Sequence, residues 1–258
     1  MFYLSVGAIF KNESMILKEW LDHYIFHGVE HFYLINDNST DTFLDILKDY
    51  RHVITLFDCT IPKIKNRQSI AYNTFFKPIL HQTKWLAILD IDEYVYSPCM
   101  IHIPDILKKY EMYSLLELNW VWFGSNAHIV QPKNIVQSFT KRAEYNKQII
   151  APTPFGMEFI NLNGTKYIVH TKYNVKELNV HTSLVDGNSI NISLKGNGDL
   201  LINHYNVMSK EYFEKIKMTR GDVNCWHADT ARNLEWFNLY DINEIDDYRL
   251  HDQNKCMF

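Results

Sequence analysis

Three carboxylates, Asp90, Asp92 and Glu93, fall within four residues of one another in "KWLAILDIDEYVYSP", Lys84 to Pro98. The run before them is apolar enough for a buried strand. A buried carboxylate is costly unless it is paired, hydrogen-bonded or bound to a metal, so a cation is expected to meet this group. Asp90 and Asp92 share one side of a continuing strand. Past the strand's end, a turn can bring both to one ion, with Glu93 supporting the turn. Hard oxygen ligands suit Mg²⁺ or Mn²⁺, ions that commonly bridge to phosphate oxygens. A solvated acidic turn, or carboxylates capping the next helix, is the competing reading.

Other polar clusters share this character. Asp37 in "INDNSTD" can accept hydrogen bonds from a base N–H or from ribose hydroxyls, although the same composition suits helix capping. Asn12 and Glu13 open a helix whose free N–H groups attract anions. Glu13 opposes that attraction, so nucleotide contact and capping both stand. Lys65, Arg67 and Gln68 can reach a diphosphate or form a solvated basic turn. His204 in "LLINHYN" reads equally as a metal ligand and as a core histidine, with His181 a rival and His170 a weaker one. The chain has no Gly-x-Gly-x-x-Gly, no Walker-type loop and no Gly-x-Ser-x-Gly elbow, which disfavours dinucleotide enzymes and P-loop NTPases.

The elements that must hold these residues alternate. "FYLSVGAI" reads as a strand. "NESMILKEWLDHYIFHG" reads as a helix burying Ile16, Leu17, Trp20, Leu21, Tyr24 and Ile25, with Asn12 as N-cap and Gly28 as stop. "HFYLIN", "HVITLFD" and "KWLAILD" read as further strands, "STDTFLDILKDY" and "NRQSIAYNTFF" as helices, the latter disturbed by Pro78. This alternation implies βαβ units and a mainly parallel sheet. Ligands bind outside the carboxyl ends of such strands, where "KNE", "NDNSTD" and "DIDE" all fall. The second half is less regular. "YSLLELNWVWFGSNAH" reads as one or two strands, "APTPFGMEF" as a loop, and Lys166 to His204 as short antiparallel strands and turns. "SKEYFEKIKMTRG" reads as a helix capped by Ser209 and ended by Gly221. No chemistry is assigned to the acidic tail from Asp241.

The bulk numbers bound the alternatives. At 258 residues, with 47% hydrophobic and 22% charged residues, the chain is an ordinary globular one. Aromatic residues reach 14%, which suits an aromatic-rich core or rings lining a groove for a sugar or base. A net charge of −4 argues against a nucleic-acid surface. Cys59, Cys99, Cys225 and Cys256 are widely spaced, as free thiols of a reducing compartment would be. The first ten residues lack a basic leader segment and read as a strand, and no later run is long enough to span a membrane. A cytoplasmic location is therefore expected.

"KNESMILKEWLDHYIFHGVEHFYLINDNSTD", "RQSIAY" and "WLAILDIDEYVY", with "WVWFGSNAH", "VHTS" and "HYNVMSKEYFEKIKMTRG" further on, together resemble the glycosyltransferase family 2-like and family 92-like group. The resemblance spans Leu4 to about Gly221. It implies an α/β GT-A (Rossmann-like) fold. A mainly parallel central sheet would carry helices on both faces, with a smaller antiparallel acceptor-side region. It implies one domain: a nucleotide-sugar-binding half over 1–100, an acceptor half over 101–221, and a C-terminal extension over 222–258. It further implies a UDP-sugar as foremost donor, a glycan or other hydroxyl acceptor, and Mn²⁺ or Mg²⁺ on Asp90, Asp92 and His204. Asn12, Glu13 and Asp37 would meet the nucleoside. Lys65, Arg67 and Gln68 would sit beside base or diphosphate, Asp90 would also face ribose, and Lys215 and Arg220 would hold phosphate. Asn36 departs from the group, where many members carry Asp. No residue matches the catalytic base of inverting members, which leaves Glu158 and Asp229 as candidates. The expected activity is metal-dependent sugar transfer. A metal-dependent nucleotidyltransferase and a non-catalytic carbohydrate-binding module are the alternatives.

Overall fold

The computed structural model describes residues 1–153, 156–193, 196–220, 223 and 232–255. Its strands are β1 (Phe2–Phe10), β2 (His31–Asn36), β3 (Ile54–Asp58), β4 (Thr83–Ile88), β5 (Glu93–Tyr96), β6 (Leu115–Trp122), β7 (Lys141–Arg142), β8 (Gln148–Thr153), β9 (Gly156–Asn161), β10 (Thr165–His170), β11 (Val175–Leu178), β12 (Ser183–Val185), β13 (Ser189–Asn191), β14 (Leu201–His204) and β15 (Ile245–Asp246). The main sheet runs β3-β2-β1-β4-β10-β6-β14-β5, and β13 also pairs with β6. β3, β2, β1 and β4 are parallel neighbours. β10 runs antiparallel between β4 and β6, so one continuous sheet joins the two halves of the chain.

The α/β class and the mainly parallel sheet agree with the sequence expectation. The helix Ser14–Phe26 packs on one face through Ile16, Leu17, Trp20, Leu21, His23 and Tyr24, and the segment Arg67–Phe76 covers the other around Tyr72 and Phe76. Two details of the first helix differ from expectation. Ile25 is exposed, and His23 takes the inward place. Glu13 rather than Asn12 is the N-cap, because Asn12 adopts a φ of 54°. The start of the helix is tied to a neighbouring loop instead: Asn12 N–H donates to Ser39 Oγ at 3.0 Å, Ser14 N–H donates to Asp41 Oδ2 at 2.8 Å, and the loop's Thr40 N–H donates back to Asn12 Oδ1 at 2.7 Å.

The second half departs further. β13 and β14 pair parallel with β6, so the stretch from Lys166 to His204 mixes these parallel pairings with antiparallel ones in β10, in the β11–β12 hairpin and between β14 and β5. Short apolar runs fix the strand but not its direction, which depends on the edge each run finds free. "APTPFGMEF" contributes to the β8–β9 hairpin rather than a loop. The alternation of buried Ile149, exposed Ile150 and buried Ala151 is its strand signature. The late helix is divided: Lys210–Tyr212, a π turn over Phe213–Lys217, then Met218–Arg220. Ser209 Oγ caps it, accepting from Tyr212 N–H at 3.1 Å. The helix Leu234–Tyr240 packs beside Trp122 and Phe213. Asp247 ties β15 to β7 through Arg142 at 2.7 Å. Among the described residues, no helix is long and apolar enough to cross a membrane.

Candidate functional site

The turn after β4 is held from behind by the first helix. Trp20 Nε1 donates to the Glu93 and Asp90 carbonyls at 3.0 and 3.1 Å. Tyr24 Oη donates to the Glu93 carbonyl at 2.8 Å and accepts from Val95 N–H at 2.9 Å. Glu93 Oε2 accepts from Asp90 N–H at 2.8 Å, closing the turn as the sequence suggested. Burial pushes the Glu93 carboxyl well above its usual range, so it holds its proton longer than its neighbours.

Asp90 and Asp92 face a cleft of about 280 Å³ at the carboxyl ends of β1, β2 and β4. Glu13 and Asp37 line it too. Each of these four acids has its own basic partner. Asp37 pairs with Arg67 at 2.6 Å, Glu13 with Arg220 at 2.7 Å, Asp90 with Lys166 at 2.9 Å, and Asp92 with Lys217 at 2.5 Å. Lys166 is fully buried and also lies 3.6 Å from Glu93 Oε2. Burial alone would raise the Asp90 and Asp92 pKa values. Lys166 outweighs it at Asp90, and Lys217 with His204 holds Asp92 well below the ordinary carboxylate value.

His204 closes the site from the end of β14. Its Nε2 lies 3.5 Å from Asp92 Oδ1, and its ring packs on Trp120 and Trp122 at 4.4 and 5.1 Å between centroids. Burial lowers its pKa against the pull of Asp92, which favours the neutral imidazole that a metal needs. Donor atoms of Asp92, Glu93 and His204 all lie within 4.8 Å of one another. Two carboxylates and an imidazole fit a small divalent ion such as Mn²⁺. With Lys217 on Asp92 Oδ2, the oxygen facing His204 is Oδ1.

The other expected residues divide. Gln68 lies between Tyr72 Oη at 2.7 Å and Asp90 Oδ1 at 3.4 Å. His181 lines the cleft, edge-on to Trp120. Asn12 spends its side chain on the Thr40 loop. Asn36 bridges strand ends by donating to Asp58 Oδ1 at 2.9 Å and accepting from Ser39 N–H at 2.8 Å. Lys65 is exposed in a separate depression with Ser69 and Lys176. Lys215 points outward to Glu211 at 2.6 Å, so this lysine does not reach the cleft. Glu158 is exposed on β9 and is not among the residues lining the cleft. Asp229 lies outside the described residues. His170 is buried against Trp85 at the far end of β10.

Sequence reasoning missed Lys166, Lys217, Arg232 and Trp236; the last three line the cleft. A lysine inside the strand-like run "KYIVH" was a usable signal, since an inward ammonium must meet an acid. Lys217 was hidden by the π turn. A turn with five-residue hydrogen bonds advances the helix face by one position, which brings Lys217 inward and sends Lys215 out.

The sequence model of the family described as Glycosyltransferase family 92 matches residues 1–248. A glycosyltransferase family 92 protein of Oryza sativa subsp. japonica is 23% identical over 221 residues, covering 82% of this chain and 34% of that protein. The chain thus spans about a third of the length of this curated relative. Among solved structures, S. aureus TarS 1–349 in complex with UDP-GlcNAc is 14% identical, covers 66% of this chain and 46% of its own, and has a TM-score of 0.41. HddC from Yersinia pseudotuberculosis is 10% identical over 83% of this chain and 97% of its own, with a TM-score of 0.40. The mannosyltransferase PcManGT from Pyrobaculum calidifontis, in complex with GDP-Man and Mn²⁺, is 13% identical over 45% of this chain and 34% of its own, with a TM-score of 0.33.

Proposed function

The chain belongs to glycosyltransferase family 92, and from that premise we propose that it moves a sugar from a nucleoside-diphosphate sugar, foremost a UDP-sugar, to a hydroxyl of a glycan acceptor. The observation that carries this reading is the set of four charge pairs around one cleft at the carboxyl ends of parallel strands. A nucleotide lies along such an edge in an open α/β sheet.

Asp37, fixed by Arg67, offers its second oxygen to a base N–H. Asp90, fixed by Lys166 and Gln68, faces the ribose. Lys217 and Arg220 face the diphosphate from the opposite side. Asp92 Oδ1 and His204 Nε2 would hold Mn²⁺ or Mg²⁺, which supplies charge stabilisation at the leaving diphosphate. The acceptor hydroxyl attacks the anomeric carbon and gives up its proton to a general base, the bond to the diphosphate oxygen breaks, and that oxygen keeps the electron pair. Preorganised cations facing this oxygen act most strongly as its charge develops. Trp120, Trp122 and Trp236 line the cleft and offer apolar ring surface against which a sugar can lie.

The test is a donor panel with Mn²⁺ and mixed glycan acceptors, read as nucleoside diphosphate released. Release from a UDP-sugar that stops with chelator supports the proposal. Pyrophosphate release from a nucleoside triphosphate would replace it with nucleotidyl transfer. Glycan binding with no donor turnover would replace it with a carbohydrate-binding module.

A further inference from the structure

Two lysines meet the acidic turn, and their settings differ. Lys166 is wedged behind the turn between Asp90 and Glu93, with none of its side chain exposed. It does not line the cleft. Lys217 lines the cleft, and its Nζ donates to Asp92 Oδ2 at 2.5 Å. Three positions along the same helix face, Arg220 is anchored twice, to Glu13 at 2.7 Å and to the Lys11 carbonyl at 3.3 Å. Arg220 and Lys166 each meet two oxygen-bearing groups, whereas the Lys217 ammonium bonds to one carboxylate and otherwise lies 6.0 Å from the centre of the Tyr212 ring, at the limit of a cation–π contact.

That carboxylate is also the one that faces His204. An ammonium on Asp92 Oδ2 and a divalent ion on Oδ1 would repel each other in a site shielded from water. A diphosphate in the cleft offers the ammonium another set of anionic oxygens. Building on the functional reading above, we propose that Lys217 is an exchangeable counter-ion for Asp92. In the nucleotide-free protein it neutralises Asp92 and weakens metal binding there. When the donor's diphosphate enters, the Lys217 ammonium turns to the phosphate oxygens and Asp92 is released to the metal. Metal and donor therefore load cooperatively, and the long flexible lysine side chain makes the exchange without moving the helix.

The test is Mn²⁺ binding, read from the electron paramagnetic resonance signal of the free ion, with and without UDP. The proteins are the wild type, Lys217→Met and Lys217→Arg. Without UDP, Lys217→Met should bind Mn²⁺ about tenfold more tightly than wild type, within the usual range of coupling between sites. Lys217→Arg, which keeps the charge, should stay weak. UDP should tighten Mn²⁺ binding in the wild type by more than it does in Lys217→Met. Equal nucleotide-free Mn²⁺ affinity in wild type and Lys217→Met, or an undiminished UDP effect in Lys217→Met, would overturn the exchange. If Lys217→Met does not fold, Lys217→Gln carries the same comparison. Asp92→Asn separates this proposal from its premise. If it binds Mn²⁺ as tightly as wild type, the metal site is misplaced whatever Lys217 does.

Discussion

Residues 1–100 bring Glu13, Asp37, Asp90 and Asp92 to the cleft, whereas Lys217 and Arg220 reach it, and Lys166 reaches the turn behind it, from residues 101–220. Of the four bases, only Arg67 comes from the same region as its acid. The acids sit at or just beyond strand ends, fixed by the backbone of a parallel sheet. The bases arrive on an antiparallel strand inserted beside β4 and on a helix with a π turn. Neither region could bury its charges alone, since an unpaired buried ion is strongly destabilising. Assembly of the halves and construction of the site are therefore one event.

If the acids depend on the distant bases, breaking a pair should cost both activity and stability, and removing both partners should restore only stability. Asp92→Asn should show the largest effect, a loss of about 10²–10³-fold in kcat. Its melting temperature should also fall, because Lys217 loses its partner. Adding Lys217→Met should recover the melting temperature without the activity. Lys166→Met should come next, destabilising by about 3–5 kcal/mol in denaturant titrations. Asp90→Asn in the same chain should return part of that loss, as expected for groups in contact. Asp37→Ala should weaken UDP binding by about 1–3 kcal/mol and lower the melting temperature through the stranded Arg67. An unchanged melting temperature would show that the two residues are held independently.

The smallest effect belongs to a region away from the cleft. His27 is buried at the end of the first helix beside His23, at 4.4 Å between ring centroids. Burial and nearby His102 lower its pKa to about 4. The unfolded chain takes up this proton more readily than the folded one. The contribution is therefore complete above about pH 6.5, the ordinary histidine value, and is lost as pH falls toward 4. His27→Gln should flatten the fall in melting temperature between pH 6.5 and 4 and leave UDP affinity unchanged. A slope equal to wild type would remove His27 from that account.

The first region was legible because its chemistry is local. A carboxylate placed straight after an apolar strand stays at the sheet edge wherever the rest of the chain goes, and Asp37, Asp90 and Asp92 all follow that rule. Their partners lie 30 to 125 residues away, beyond the reach of periodicity. The same limit explains why the strands before residue 100 could be recognised as a parallel set, whereas the parallel pairing of β13 and β14 with β6 could not. Lys215 was chosen over Lys217 because regular helical spacing has no way to anticipate a π turn. Asn36 stood out as a departure from the Asp that many members of the resembled group carry, and its amide is committed to joining the ends of β2 and β3.

The central claim is that the charge-paired cleft is where the donor's nucleotide binds. Calorimetric titration of UDP with saturating Mn²⁺ tests it most directly, using wild type, Asp37→Ala, Arg220→Gln, Lys65→Ala and Lys215→Ala. One UDP should bind per chain. Its affinity should fall about tenfold or more in Asp37→Ala and Arg220→Gln, the scale of a lost hydrogen bond to a charged group, and should hold in Lys65→Ala and Lys215→Ala. Equal UDP affinity in all five proteins, or a loss confined to the two outward lysines, would contradict it.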